Sequence, residues 1–189
     1  EYFDVLPIHQ AVKRETGWHE RVVELDGDGN FAFGTAAEPI PRFEVLLPPS
    51  VRAAPVGAIF EWRPDTEIMK LATRVRDQEG AALIIDYGHL KSDVGDTFQA
   101  IARRSFADPL TSPGQADITA HVDFHALARA AEDLGARVHG PTTQGEFLRR
   151  LGVEARASGL MAKAKPDVAA DIAGALKRLI DSGRGGKGS

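Results

Sequence analysis

The stretch from Pro64 to Gly88 constrains the fold of this 189-residue chain more than any other. Its first part repeats apolar residues at the spacing of an amphipathic helix, with Asp65 or Thr66 as N-cap and Gly80 as its end. Ala81 to Ile85 then form a continuous apolar run, which is typical of a strand buried in a parallel sheet. A helix followed by a buried strand is half of an α/β repeat, so we expect an α/β domain.

The region before this stretch predicts a β-rich insertion over residues 14–60. From Thr16 to Phe33, two strand-like runs flank the sequence DGDGN, whose Asp-Gly pairs favour a hairpin turn. From Glu38 to Pro55, prolines bracket one apolar run, which predicts a traverse across the surface with an edge strand at most.

The region after it combines a long connection with more helices. Residues from Lys91 to Ala120 are rich in glycine, proline and short polar side chains, which predicts a long functional loop. The remaining predicted elements are a helix over Phe124 to Leu134 with Asp123 as N-cap, a strand over Ala136 to Gly140, a helical segment over Thr142 to Ala164 with a break near Gly152, and a helix over Asp167 to Asp181.

Composition excludes several classes of function. The net charge of -4 gives no overall attraction to nucleic acid or to an anionic membrane. The absence of cysteine excludes disulfides and thiolate chemistry. No apolar run reaches the length of a membrane span, and the sequence EYFDVLPIHQ lacks the features of a signal peptide. We therefore expect a soluble intracellular protein.

The sequence Asp86-Tyr87-Gly88 directly follows the predicted buried strand. Ligands of open α/β sheets bind beyond the carboxyl ends of strands. A carboxylate there could accept hydrogen bonds from a ligand, the ring could stack on it, and the glycine would allow close approach. An equally weighted alternative is that Asp86 only caps a turn.

A second candidate site lies in the sequence EYFDVLPI, where Glu1 and Asp4 flank Tyr2 and Phe3. Acidic groups beside aromatic rings suit a cation such as a guanidinium, an ammonium or a sulfonium. The simpler interpretation, a solvated loop with one buried phenylalanine, is favoured on the sequence alone.

A third candidate is ADITAHVDFH, where Asp117, Thr119, His121, Asp123 and His125 alternate with other residues. Such alternation suggests a metal site. Against it, Asp123 is explained as a helix N-cap and His125 would point away from His121, so no metal site is predicted. His121 remains a candidate general base, with a structural histidine as the alternative.

Five motifs, EYFDVLPI, IIDYG, GDTFQA, DPLTSPGQADITAHVDF and TQGEFLRRLG, resemble in this order the MidA-like family of class I S-adenosylmethionine-dependent methyltransferases. The resemblance implies a Rossmann-like sheet of which residues 1–189 form the later, C-terminal part, with a flexible tail at 183–189. The family's earlier half carries the glycine-rich loop for S-adenosylmethionine. No such loop occurs in this sequence, so the missing N-terminal half of the same protein is an expected partner.

The resemblance also implies roles for individual residues. Glu1 and Asp4 would orient a substrate guanidinium, with His121 as the third catalytic residue. The residues implied to bind substrate or cofactor are Tyr2, Phe3, Asp86, Tyr87, Gly88, Asp96, Thr97, Gln99, Asp117, Thr119, Asp123 and Gln144.

The expected function is methylation of arginine on a protein substrate, a subunit of respiratory complex I or its bacterial equivalent. A non-catalytic assembly module with the same fold is the alternative, and a metal-dependent hydrolase using His121 is a third interpretation. We expect no nucleic-acid partner and no membrane insertion, and a homodimer is left open. The expected location is the bacterial cytoplasm, with the mitochondrial matrix as the alternative.

Overall fold

The computed structural model describes residues 1–103 and 105–181, which belong to two compact units. The first unit is Glu1–Val138, and the second begins at His139. The tail predicted at 183–189 lies outside the described residues. Within the described ranges, no helix is both long enough and apolar enough to cross a bilayer.

The first unit contains nine strands and four helices within the described residues. Its strands are β1 (His9–Arg14), β2 (Gly17–Leu25), β3 (Phe31–Pro39), β4 (Ile59–Trp62), β5 (Gly88–His89), β6 (Gln99–Ala102), β7 (Ser105–Ala107), β8 (Asp117–Thr119) and β9 (Val122–Asp123). Its helices are α1 (Phe43–Leu46), α2 (Pro49–Arg52), α3 (Thr66–Asp77) and α4 (Phe124–Asp133).

The first sheet is antiparallel and has the strand order β3-β2-β1-β4. The predicted hairpin is confirmed as β2 and β3. Its turn is fixed by Asp26, whose side chain accepts hydrogen bonds from the N–H groups of Asp28 and Asn30, both at 2.9 Å. The first hairpin, β1 with β2, and strand β4 were not predicted. An insertion over residues 14–60 remains a prediction.

The proline-rich passage differs from its prediction. Instead of an edge strand on the surface, it forms the short helices α1 and α2. Phe43 lies in α1, Val51 lies in α2, and Leu47 lies in the extended link between the two helices. They are buried against Trp18 and Phe60 and complete the core beneath the first sheet.

A second core lies between α3 and α4, both of which were predicted correctly. Ile68 and Ala72 of α3 pack in one cluster with Ala130 and Ala131 of α4. The predicted N-cap of α4 is confirmed, because the carboxylate of Asp123 accepts a hydrogen bond from the Ala126 N–H at 3.0 Å. The same cluster buries Phe3 and Val122, so this core supports the residues of the candidate sites.

Two predicted strands are wrong. Ala81–Ile85 and Ala136–Gly140 make no strand pairing within the described residues, and Leu83 and Ile85 are 69% and 56% exposed. A strand exists only where a neighbour accepts its hydrogen bonds, and no described segment pairs with either run. The parallel pairing begins just later, where β5 joins β9 over two residues.

The long loop predicted over Lys91–Ala120 contains a small antiparallel sheet, in the order β7-β6-β8. Gln99 lies opposite Thr119 in this sheet, and Asp117 lies opposite Ile101. Short strands of three or four residues give too weak a periodic pattern to be read from the sequence.

The second unit is helical and agrees with the sequence. Its helices are α5 (Gln144–Arg150), α6 (Val153–Met161) and α7 (Pro166–Ile180). The predicted break is confirmed at Gly152, whose φ of 81° is readily adopted only by glycine. Gly145 of α5 packs directly on the main chain of Ile180 at the end of α7.

Candidate functional site

Asp86 organises the start of the chain. Its Oδ2 accepts hydrogen bonds from the N–H groups of Tyr2, Phe3 and Asp4 at 3.0, 2.9 and 3.4 Å, and its Oδ1 accepts the Tyr87 N–H at 2.8 Å. Burial acts to raise the pKa of Asp86, but these main-chain donors outweigh it and lower that pKa. The carboxylate is therefore engaged by the protein itself, which fits the turn-capping alternative better than direct contact with a ligand.

Asp4 has the opposite environment. Its side chain is buried, and its Oδ1 has no hydrogen-bond partner. Burial first, and then the charges of Asp86 and Glu1, raise the pKa of Asp4. Asp4 lines a cleft of about 220 Å³ together with Phe98 and Thr119. A buried acceptor without a donor is costly in a folded protein, so it is a natural place for a ligand that donates hydrogen bonds.

Glu1 and Tyr87 are exposed residues close enough to Asp4 for their charges to interact with it. The negative charge of Glu1 is the main cause that raises the pKa of Tyr87, with partial burial second. The Tyr2 hydroxyl donates to Glu67 at 3.3 Å, and the rings of Tyr2 and Phe3 meet edge to face at 5.3 Å. The predicted pairing of carboxylates with aromatic rings is thus present in space as well as in sequence.

Arg63 joins this segment to the third candidate motif, and sequence reasoning missed it. Its guanidinium donates to the carbonyls of Asp4, Leu6, Ala120 and His121 at 2.9, 3.2, 2.7 and 2.7 Å. Burial lowers the pKa of Arg63, and nearby carboxylates oppose that shift. The Ala120 N–H also donates to the Asp4 carbonyl at 3.0 Å. A lone arginine after a tryptophan carries no sequence pattern that would have identified it.

Glu61 provides the second anchor for the same motif. Its carboxylate accepts hydrogen bonds from Gln10 Nε2 at 2.7 Å and from the N–H groups of Thr97 and Phe98 at 3.1 and 3.2 Å. The Thr97 hydroxyl accepts the His121 N–H at 2.8 Å. Thr97 therefore positions the backbone of His121, whose side chain is exposed.

Several other predicted site residues have structural explanations. Asp96 pairs with Arg21 at 2.9 Å. A Cβ on Gly88 would lie 2.0 Å from the Val122 carbonyl oxygen, so glycine is required here by the pairing of β5 with β9. Asp123 caps α4, and Gln99, Asp117 and Thr119 lie in the small sheet.

Gln144 belongs to the second unit, where its side chain donates to the Leu179 carbonyl at 3.1 Å. This contact within the helical unit accounts for Gln144 without a ligand. The metal interpretation of the third motif also lacks geometry: among residues 1–103 and 105–181, no group of three or more histidine or acidic side chains is placed to hold a metal ion.

Comparison with known proteins points to one family. Residues 1–142 match a family described as S-adenosyl-L-methionine-dependent methyltransferases. The mitochondrial protein arginine methyltransferase NDUFAF7 of Danio rerio is 34% identical over 183 residues, which cover 96% of this chain and 42% of that protein. Its Drosophila melanogaster homologue is 33% identical over 190 residues, with the same coverage. The chain thus spans about two fifths of the length of these relatives.

Two solved structures from Burkholderia thailandensis have the same fold over this chain. Each gives a TM-score of 0.76 at 28% identity and covers 96% of this chain, against 50% and 48% of their own. One of them was crystallised with S-adenosyl-homocysteine bound. These neighbours confirm the predicted α/β fold class.

Proposed function

The chain belongs to this family of S-adenosyl-L-methionine-dependent methyltransferases, and we propose that it forms the substrate-facing part of an enzyme that methylates arginine on a protein. The names of the curated relatives support arginine as the acceptor. The S-adenosyl-homocysteine bound to a Burkholderia neighbour supports S-adenosylmethionine as the cofactor.

The buried carboxylate of Asp4 is the observation that carries this proposal. Its Oδ1 lacks a donor, while a guanidinium presents a planar set of N–H donors and a charge that is never lost near neutral pH. Glu1 and Asp86 add negative charge around the same position. A substrate arginine would satisfy the unpartnered oxygen and would keep Asp4 ionised despite its burial.

The residues of this chain fit the substrate better than the cofactor. The oxygens of Asp86, at the predicted cofactor-facing edge, already accept hydrogen bonds from the main chain. The sequence also contains no glycine-rich phosphate or nucleotide loop. The family and the neighbour with bound S-adenosyl-homocysteine support binding of S-adenosylmethionine by the whole protein.

The contribution of the proposed residues is placement. Asp4 and Glu1 would hold the guanidinium in one orientation, while the rings of Tyr2, Phe3 and Tyr87 shield it from water. His121 would accept the proton that the guanidinium loses on methylation, because Arg63 and Thr97 fix its backbone and leave its imidazole exposed.

The substrate and location follow from the relatives and stay proposals. The family resemblance favours a subunit of respiratory complex I or its bacterial equivalent as the methylated protein. The Burkholderia neighbours favour the bacterial cytoplasm, and the mitochondrial relatives make the matrix the alternative.

The test is methyl transfer from radiolabelled S-adenosylmethionine to protein arginine, using the longest native polypeptide that contains this chain. Asp4→Asn is expected to lower kcat/KM about 100-fold, because it removes the charge that orients the guanidinium. Asp28→Asn is the matched control, since Asp28 lies in the exposed hairpin turn. If wild-type polypeptide that binds the cofactor transfers no methyl group to any protein, the non-catalytic assembly module is the better account.

A further inference from the structure

The hairpin of β2 and β3 carries an apolar face that the described chain leaves open. Val23 lies opposite Phe33, and Leu25 lies opposite Phe31. Residues two apart on a strand share a face, so these four side chains form one surface, and each is between 36% and 65% exposed. A contiguous apolar surface of this kind marks an interaction site more often than chance exposure.

Three side chains of this face, Val23, Phe31 and Phe33, line one side of a groove. The groove has a volume of about 350 Å³, and Phe98, Leu110 and Ile118 form its opposite wall. Phe33 meets Phe98 edge to face with ring centroids 6.2 Å apart, so the two sides of the groove are in contact through these rings. The groove is therefore built by both the hairpin and the region from β6 to β8.

The groove adjoins the proposed arginine site. Ile8, Phe98 and Ile118 line it, and the same three side chains line the cleft that contains Asp4. A chain lying along the groove could therefore place one of its side chains beside the Asp4 carboxylate.

The charged residues of the groove are paired within the chain. Arg21 bonds to Asp96 at 2.9 Å and lies over the Phe33 ring at 3.9 Å. Glu20 lies 3.4 Å from the ring nitrogen of His9. Since Asp96 already matches the charge of Arg21 and most of the other lining side chains are apolar, the groove favours apolar side chains in an occupant.

We propose that this groove binds the substrate protein through an extended segment whose apolar or aromatic side chain lies at a fixed distance in sequence from the methylated arginine. The inference rests on the proposed function, because the groove adjoins the cleft that contains Asp4. A second copy of the chain fits less well. Two half-exposed phenylalanines and two aliphatic side chains offer only a few hundred Å², roughly half of what each partner buries in a stable complex.

The experiment uses peptides with one fixed arginine and degenerate flanking positions, methylated by the longest native polypeptide. The wild type is expected to select an apolar residue at one offset from the arginine. Phe31→Ser should raise KM for the selected peptide about tenfold and leave kcat and the KM for S-adenosylmethionine unchanged. Phe106→Ser is the matched control, since Phe106 is 81% exposed and lies outside the groove.

Leu110→Ser tests the opposite wall and should also raise the KM for the peptide, which keeps the proposal testable if Phe31→Ser does not fold. If arginine is methylated without any preferred flanking residue, or if the KM is unchanged in both variants, the groove does not bind the substrate. The proposed function would then still stand. Loss of a homodimer in Phe31→Ser with no change in KM assigns the face to a second copy instead. If no peptide and no protein arginine is methylated, the proposed function and the groove fail together.

Discussion

Replacing Arg63 by methionine tests how the candidate site is held together. Methionine keeps much of the apolar side chain but removes the donors to the carbonyls of Asp4, Leu6, Ala120 and His121. A hydrogen bond in a protein contributes about 1 kcal/mol net, so four bonds amount to about 4 kcal/mol. The free energy of unfolding of the first unit is expected to fall by about that much.

Urea unfolding followed by tryptophan fluorescence measures this change. The only tryptophans, Trp18 and Trp62, both lie in the first unit, and Trp62 precedes Arg63 directly. The matched control is Arg74→Met on the exposed surface of α3, which is expected to change the free energy by less than about 0.5 kcal/mol. If Arg63→Met destabilises no more than this control, the four carbonyl contacts do not hold the site.

Three further substitutions test other residues in and around the candidate site. Gly88→Ala should lower the free energy of unfolding by about 2–4 kcal/mol in a thermal melt, because the added Cβ would lie 2.0 Å from the Val122 carbonyl oxygen. Gly27→Ala is the control, since a Cβ at position 27 would have no atom within 4 Å. Folding lowers the pKa of Asp86, so the Asp86 carboxylate contributes fully to the free energy of unfolding above its unfolded pKa of about 4. This contribution is lost as the pH falls through the folded pKa. When the free energy of unfolding is measured against pH in acid, Asp86→Asn should therefore show a smaller loss than the wild type. Folding raises the pKa of Asp4, so the native state binds more protons and the free energy of unfolding declines as the pH rises from the unfolded to the folded pKa. Asp4→Asn should therefore raise the free energy of unfolding at pH 7 while it lowers methyl transfer. A loss of both would contradict the claim that the Asp4 carboxylate lacks a hydrogen-bond partner in the native state.

Elements that need only local information could be predicted from the sequence. The hairpin follows from the Asp-Gly pairs at its turn, and α3 and α4 follow from their apolar spacing and from Asp123 as a cap. Ala81–Ile85 shows the limit, because an apolar run becomes a strand only when another segment accepts its hydrogen bonds. In the proline-rich passage, two four-residue helices are too short to show a periodic pattern, so the burial of Phe43, Leu47 and Val51 could not be predicted.

The candidate site, too, could be predicted only in part from the sequence. Its acidic and aromatic residues stand in recognisable motifs, and the structure brings Glu1, Asp4 and Asp86 close together. The sequence could not predict the separate roles of these carboxylates, because the roles depend on tertiary contacts. Asp86 accepts hydrogen bonds from backbone N–H groups, whereas one oxygen of Asp4 has no hydrogen-bond partner. Arg63 and Glu61 were missed since isolated charged residues acquire their role only through contacts distant in sequence.

Calorimetric titration of S-adenosylmethionine tests most directly whether this chain is the substrate-facing part of a methyltransferase. The titration is made into the 189-residue chain and, in parallel, into the polypeptide extended by the family's cofactor-binding half. The account predicts saturable binding to the extended polypeptide and none to the chain alone. Equal binding by the chain alone would contradict the division of the site that is proposed here.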